Sequence, residues 1–233
     1  MTHSALYVDL VPASGTVPPG GWEPLAALAD QLADARIHVT EAGHVRLYGA
    51  SPDELADARI HVTEAGHVRL YGASPDELVD VPGFQPAAGP ATEVGEIGWL
   101  GQTDGQVNLG AGLRLGMMST QIARMLDVVE APVRLCRGGI IRIEGLEEGV
   151  AEQVVRALAP LGVIFDAGSN LLQVTACGNC GLSRSDVHLD ALQAAADGVE
   201  RPTHFAGCGH RCGAPSGKHV EYLALGEGEY EVS

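Results

Sequence analysis

Basic residues are scarce in this chain. Its 233 residues hold 14 Lys and Arg against 30 Asp and Glu, a formal net charge of −16. A surface that acidic repels phosphate backbones and anionic lipid, which argues against nucleic acid and membrane as partners. Any site for an anion must then be a local basic pocket set against the overall field. Long apolar runs are missing as well. No stretch approaches the roughly 18 apolar residues of a membrane helix, and the opening MTHSALYVDLVPASG lacks the charged start and apolar run of a secretion signal. These absences predict a cytoplasmic protein. In that reducing compartment, clustered cysteines read better as metal ligands or redox groups than as structural disulfides. What is present is enough to fold: apolar residues make up 45% of the chain, and the length fits one large domain or two small ones.

The segment LADARIHVTEAGHVRLYGASPDE fills positions 32–54 and recurs unchanged at 55–77. Functional repeats drift because different neighbours select different residues, so perfect identity points to a recent duplication or an error of sequence assembly. One copy is expected in the fold and the other as an extra hairpin or a competing register. Each copy alternates as a strand (Arg36 to Thr40), turns at Glu41-Ala42-Gly43, and alternates again (His44 to Tyr48). A helix start follows, with Ser51 as cap and Pro52 at the first position. A strand (Ala5 to Val11) and a helix (Trp22 to Leu32) precede it. After a Pro/Gly/Ala-rich stretch from Pro82 to Glu93, a similar order returns: strand Gln106 to Leu115, helix Ser119 to Val129 with Ser119 as cap, strands Val133 to Leu135 and Ile140 to Ile143, and helix Gly149 to Leu161. Two βαββα-like halves predict a pseudo-symmetric α+β domain with antiparallel sheet. Beyond them, Leu171 to Thr175 reads as a strand running into the first cysteine, and a closing hairpin joins His219 to Leu225 with Tyr230-Glu231-Val232.

Cys177-Gly178-Asn179-Cys180 is a CxxC, and Cys208-Gly209-His210-Arg211-Cys212 is a CxxxC. Thiolates two or three residues apart can turn to one ion or cluster when small residues let the backbone fold tightly, and glycines 178, 181, 207, 209 and 213 supply that freedom. Free backbone N–H groups beside them would tune an iron–sulfur cluster. The pattern alone also admits a structural zinc site, a CxxC dithiol pair at Cys177/Cys180, or unligated buried thiols. Cys136 stands apart and reads as a buried small hydrophobe. His204 and His219 read as structural, and His38/His44 with His61/His67 as exposed strand residues. The basic candidates for an anion are Arg134, Arg137, Arg142, His210, Arg211 and Lys218.

Several stretches resemble precorrin-3B synthase, within the wider family of sulfite and nitrite reductases built on ferredoxin-like half modules. They run from Gly98-Trp99-Leu100 through Asp104-Gly105-Gln106-Val107-Asn108-Leu109-Gly110, then Leu161-Gly162-Val163, Val174-Thr175-Ala176-Cys177, Ala206-Gly207-Cys208 to Cys212, and Gly228-Glu229-Tyr230-Glu231-Val232. Val45-Arg46-Leu47-Tyr48-Gly49 is similar to the first half module. The resemblance implies a first half module over 1–81, a linker over 82–95, a second half module over 96–170 and a Cys/Gly-rich cluster-binding segment over 171–233. It implies an oxidoreductase with a [4Fe–4S] cluster held by Cys177, Cys180, Cys208 and Cys212. Cys212 would be the bridge to a sirohaem iron, and Arg211 would meet a tetrapyrrole carboxylate. Precorrin-3B synthase hydroxylates precorrin-3A with oxygen in aerobic cobalamin biosynthesis, so a second, non-haem iron is a further implied cofactor. A sirohaem enzyme would take sulfite or nitrite instead. Either needs an electron-donor protein or a reduced nicotinamide system. A non-catalytic iron–sulfur electron-transfer module and a zinc-stabilised binding module remain alternatives.

Overall fold

A computed structural model describes residues 10–31, 36–39, 45–47, 60–63, 67–70, 83–86, 93–177, 182–211 and 213–233. The expected strand start before Leu10, the helix start at Ser51, and Cys180 and Cys212 lie outside the described residues.

The first stretch comprises β1 (Leu10–Pro12), α1 (Glu23–Gln31), β2 (Arg36–Val39), β3 (Val45–Leu47), β4 (Ile60–Thr63), β5 (His67–Leu70) and β6 (Phe84–Pro86). The two identical copies take the same hairpin register, Ile37 opposite Leu47 in one and Ile60 opposite Leu70 in the other. They have different neighbours. β2 and β3 sit inside an antiparallel sheet ordered β6-β1-β3-β2, whereas β4 and β5 form a two-stranded sheet of their own. The stretch expected as linker is not wholly irregular, because Phe84–Pro86 pairs with β1.

The second stretch comprises β7 (Gly98–Gly101), β8 (Val107–Leu113), β9 (Met117–Ser119), α2 (Thr120–Val128), β10 (Val133–Cys136), β11 (Ile140–Leu146), α3 (Glu148–Leu158) and β12 (Val163–Ile164). Its sheet runs β10-β11-β8-β12, with β7 also on β8, and every pairing is antiparallel. β8 is the central strand, buried at every position except Asn108. It also has the tightest glycine: a Cβ on Gly110 would lie 1.7 Å from the Glu96 carbonyl oxygen, so only glycine lets the chain entering β7 pass. After β8 the chain leaves this sheet. β9 pairs with β2 instead, which extends the first sheet to five strands. Ser119 then caps α2 as its sequence predicts, its hydroxyl accepting from the Ile122 N–H at 3.2 Å.

The helices join the two sheets. Asp127 on α2 accepts from the Trp22 and Glu23 backbone N–H groups at 3.2 and 2.9 Å, so a carboxylate sits at the positive end of α1. Arg124 binds Glu23 and Asp30 across the same contact. Beneath lies one continuous core that includes Trp22, Leu25, Leu109, Met118, Leu126, Ile141, Ile143 and Leu158.

The third stretch differs from the two antiparallel sheets. It comprises β13 (Val174–Ala176), α4 (Val187–Asp197), β14 (Thr203–Ala206), β15 (Val220–Gly226) and β16 (Glu229–Val232). β13 and β15 both run parallel to β14, and only β16 is antiparallel to its neighbour. α4 is the crossover that parallel pairing of β13 and β14 requires. A second core, with Val174, Val187, Ala191, Phe205 and Ala224, fills the space between helix and sheet. The segment expected to carry the ligands, with one strand and a closing hairpin, therefore also has a helix, a parallel pairing and a core of its own. Among the described residues, no helix is long and apolar enough to cross a membrane.

Candidate metal centre

Parallel pairing decides where the cysteine-bearing loops begin. Thr175 lies opposite His204 and Ala176 opposite Phe205. One residue on, the Cys177 N–H donates to the Phe205 carbonyl at 2.8 Å. Cys208 follows the last residue of β14 by two. Both loops thus leave neighbouring strands at the same, C-terminal end of the sheet, and both cysteines are buried, at 3% and 8% exposure. In an antiparallel pair they would leave at opposite ends.

The surroundings of Cys177 are specific. His188, in the first turn of α4, reaches the Cys177 carbonyl with Nε2 at 2.6 Å. His204, fully buried on β14, approaches the Cys177 Sγ with Nε2 at 3.9 Å, and its Nδ1 lies 2.9 Å from the Thr175 hydroxyl. His219 packs edge-on against the His204 ring, with centroids 6.1 Å apart. Around Cys208 the chain turns tightly. The Arg211 N–H donates to the Cys208 carbonyl at 3.1 Å, and His210 Nδ1 lies 3.4 Å from the Cys208 Sγ. Gly207 allows the close approach of the neighbouring loop: a Cβ there would meet the Ser183 hydroxyl at 2.1 Å.

Of the four expected ligands, Cys177 and Cys208 are described, and Cys180 and Cys212 are outside the described residues. Among the described residues, no three His, Cys, Asp or Glu side chains group as metal ligands. The donor chemistry at hand is two buried thiols beside imidazole rings, at the start of two glycine-containing loops. That set fits a thiolate-ligated centre better than a hard cation, which would take oxygen ligands.

Of the basic candidates, His210 lies beside Cys208, whereas Arg134, Arg142 and Arg211 are engaged with carboxylates. Arg211, with φ of 49°, donates from Nε to Glu221 at 2.6 Å, and this bond raises its pKa above the usual arginine value. Arg134 and Arg142 converge on Glu144 at 2.7 and 2.9 Å, and Arg142 also binds Glu93 at 2.6 Å. Burial pushes the Glu144 carboxyl up, but the hydrogen bonds from the two arginines outweigh it and hold it below the ordinary range. This cluster lies on β10 and β11, away from the cysteine-bearing sheet. Cys136 is fully buried on β10, and burial pushes its thiol up, as suits an inert core residue.

Sequence reasoning gave no site role to three residues around Cys177: Thr175 at the end of a predicted strand, His204 read as structural, and His188. Thr175 and Cys177 share a face by strand alternation, which was readable. The histidines come beside them only through the crossover, for which no sequence motif stands.

No family model matches the chain, and no curated protein matches it. Among solved structures, it is similar to the Mycobacterium tuberculosis NirA protein at 16% identity and a TM-score of 0.45. The likeness covers 70% of this chain and 32% of that one, so the chain matches about a third of that protein's length.

Proposed function

We propose that the protein is an iron–sulfur oxidoreductase, with one [4Fe–4S] cluster held by Cys177, Cys180, Cys208 and Cys212. The observation that carries this reading is the burial of Cys177 and Cys208 at the same end of two adjacent parallel strands. A bound cluster would supply one-electron transfer. The chain's own part is to present thiolates, to exclude water through the second core, and to fix Cys177 through His188 and His204. The substrate class comes from the sequence resemblance: precorrin-3A, or sulfite or nitrite with sirohaem.

A second reading is a cluster-bearing electron-transfer module without a substrate pocket of its own. It draws on Arg211, Arg134 and Arg142, which carboxylates of this chain already neutralise. A tetrapyrrole carboxylate would have to share Arg211 with Glu221.

The deciding measurement is iron, zinc and acid-labile sulfide on protein purified without oxygen, with an optical spectrum of the same sample. About four irons and four sulfides per chain, with broad visible absorption, is the expected result. One zinc and no sulfide overturns the proposal in favour of a structural zinc module. If the cluster is present, binding of sirohaem, precorrin-3A, sulfite or nitrite by the isolated chain separates the enzyme from the electron carrier.

A further inference from the structure

The strongest unexplained feature is the chain of contacts Thr175–His204–Cys177. His204 is fully buried, lies under the His219 ring, and spans from a hydroxyl on one side to a cysteine sulfur on the other. The direction of its hydrogen bonds follows from the state of the cysteine it faces. The Thr175 hydroxyl has two acceptors in range, the Thr203 carbonyl at 3.5 Å and His204 Nδ1 at 2.9 Å. Both distances suit either ring tautomer; in the alternative one, Nδ1–H donates to the hydroxyl and the hydroxyl to the Thr203 carbonyl. A ligated thiolate has no proton to give, so a hydrogen bond between it and His204 takes its proton from Nε2, and Nδ1 is left to accept from Thr175. A neutral imidazole that accepts at Nδ1 carries its proton on Nε2. Nε2 is the atom that faces the Cys177 Sγ at 3.9 Å, a long contact suited to a large, diffuse acceptor.

We infer that His204 is a positioning residue whose Nε2–H donates to the Cys177 sulfur, in the tautomer fixed by Thr175, and so raises the reduction potential of the centre Cys177 ligates. The inference rests on the metal reading above and adds a residue that controls its redox property. A donor to a ligand sulfur stabilises the electron-richer, reduced state more than the oxidised one. Removing it makes reduction harder without removing a ligand.

The test is a potentiometric titration, followed by electron paramagnetic resonance, of the full chain loaded without oxygen. The wild type is compared with His204→Phe, His204→Gln and Thr175→Val. In His204→Phe the reduction equilibrium is expected to fall about tenfold, a shift of about 59 mV to lower potential for one electron. His204→Gln, whose amide can still donate, is expected to recover most of the shift. Thr175→Val frees the tautomer and is expected to move the potential in the same direction as His204→Phe. If His204→Phe does not retain a centre, Thr175→Val and His204→Gln decide between the outcomes. Full iron and sulfide with unchanged potentials overturns the inference and leaves the metal reading standing. A wild-type chain that holds no iron and sulfide, or only zinc, overturns both.

Discussion

Two residues report on how tightly the third unit is fastened. Tyr230 on β16 donates its hydroxyl to Asp190 on α4, and Asp190 also accepts from Ser185 at 2.9 Å. Burial first, and then the bond to Asp190, pushes the Tyr230 phenol up to about 12 from an ordinary value near 10. Because the folded pKa is the higher one, its contribution to stability is complete below about pH 10 and is lost as pH rises towards 12. Denaturant titrations of wild type and Tyr230→Phe between pH 9 and 12 should therefore converge with rising pH. A constant gap would mean that the phenol does not titrate against Asp190. Gly207 is the second. An alanine Cβ there would meet the Ser183 hydroxyl at 2.1 Å, its Cβ at 2.9 Å and its Cα at 3.2 Å, so rotating the hydroxyl away does not clear the clash. Gly207→Ala should cost about 1–3 kcal/mol, as overpacking does, and should lower metal content. Gly209→Ala, two residues on in the same loop, meets nothing within 4 Å and serves as the near-neutral control. Equal thermal midpoints for the two variants would discount the close packing of the Ser183 loop against Gly207.

Elements with a local signature were legible, and elements that exist through tertiary contact were not. Ser119 before an amphipathic run marked α2, and the order strand, helix, strand, strand, helix from β8 to α3 could be read with ends within a few residues. The four-residue β14 could not, since Thr203-His204-Phe205-Ala206 is buried throughout and does not alternate. α4 was missed although Asp186 caps it and Val187, Ala191 and Ala195 share its buried face, because alanines beside His188 make that face only weakly apolar. The candidate site was legible as residue types. Their arrival at one sheet end depends on the α4 crossover, which pattern reading did not supply. The duplicated hairpin is a different case. Residues 32–54 and 55–77 are identical, so either copy has the side chains needed to pair as β2 and β3 do. Deleting 55–77 joins Glu54 to Leu78, the same Pro-Asp-Glu-Leu junction that Glu77 makes now. Because, among the described residues, β4 and β5 pair only with each other, the deletion removes no strand from the five-stranded sheet. The shortened chain should keep its thermal midpoint and its metal content. A collapse of circular dichroism or a large drop in midpoint would mean that the second copy supports the first.

At the scale of the whole molecule, two cores meet at one turn. Between β8 and β9 the chain passes through Arg114–Gly116, and Leu115 there takes φ of 54°, a left-handed value that a leucine adopts at a cost of about 1–3 kcal/mol. Its side chain offsets that cost by burying itself in the second core, beside the sheet that carries Cys177 and Cys208, while the strands on either side belong to the two antiparallel sheets. One residue thus ties three sheets together. The two cores nonetheless differ in what holds them. The first contains Trp22, Leu126, Ile141, Ile143 and Leu158 fully or almost fully buried, whereas the second is smaller, with Ala191, Ala195, Ala206 and Ala224 around Leu115, Val174, Val187 and Phe205. A smaller core gains less from burial at about 25 cal/mol per Å², so a ligated centre should contribute a larger share of its stability. Removing the metal should therefore act locally. Hydrogen exchange on the chelated or cluster-free protein should quicken at amides of β13, β14 and α4, and should leave β8 and β11 protected as before. Uniform loss of protection would mean that Leu115 couples the cores into one cooperative unit. Unchanged protection in both would mean that the third unit stands on its smaller core alone.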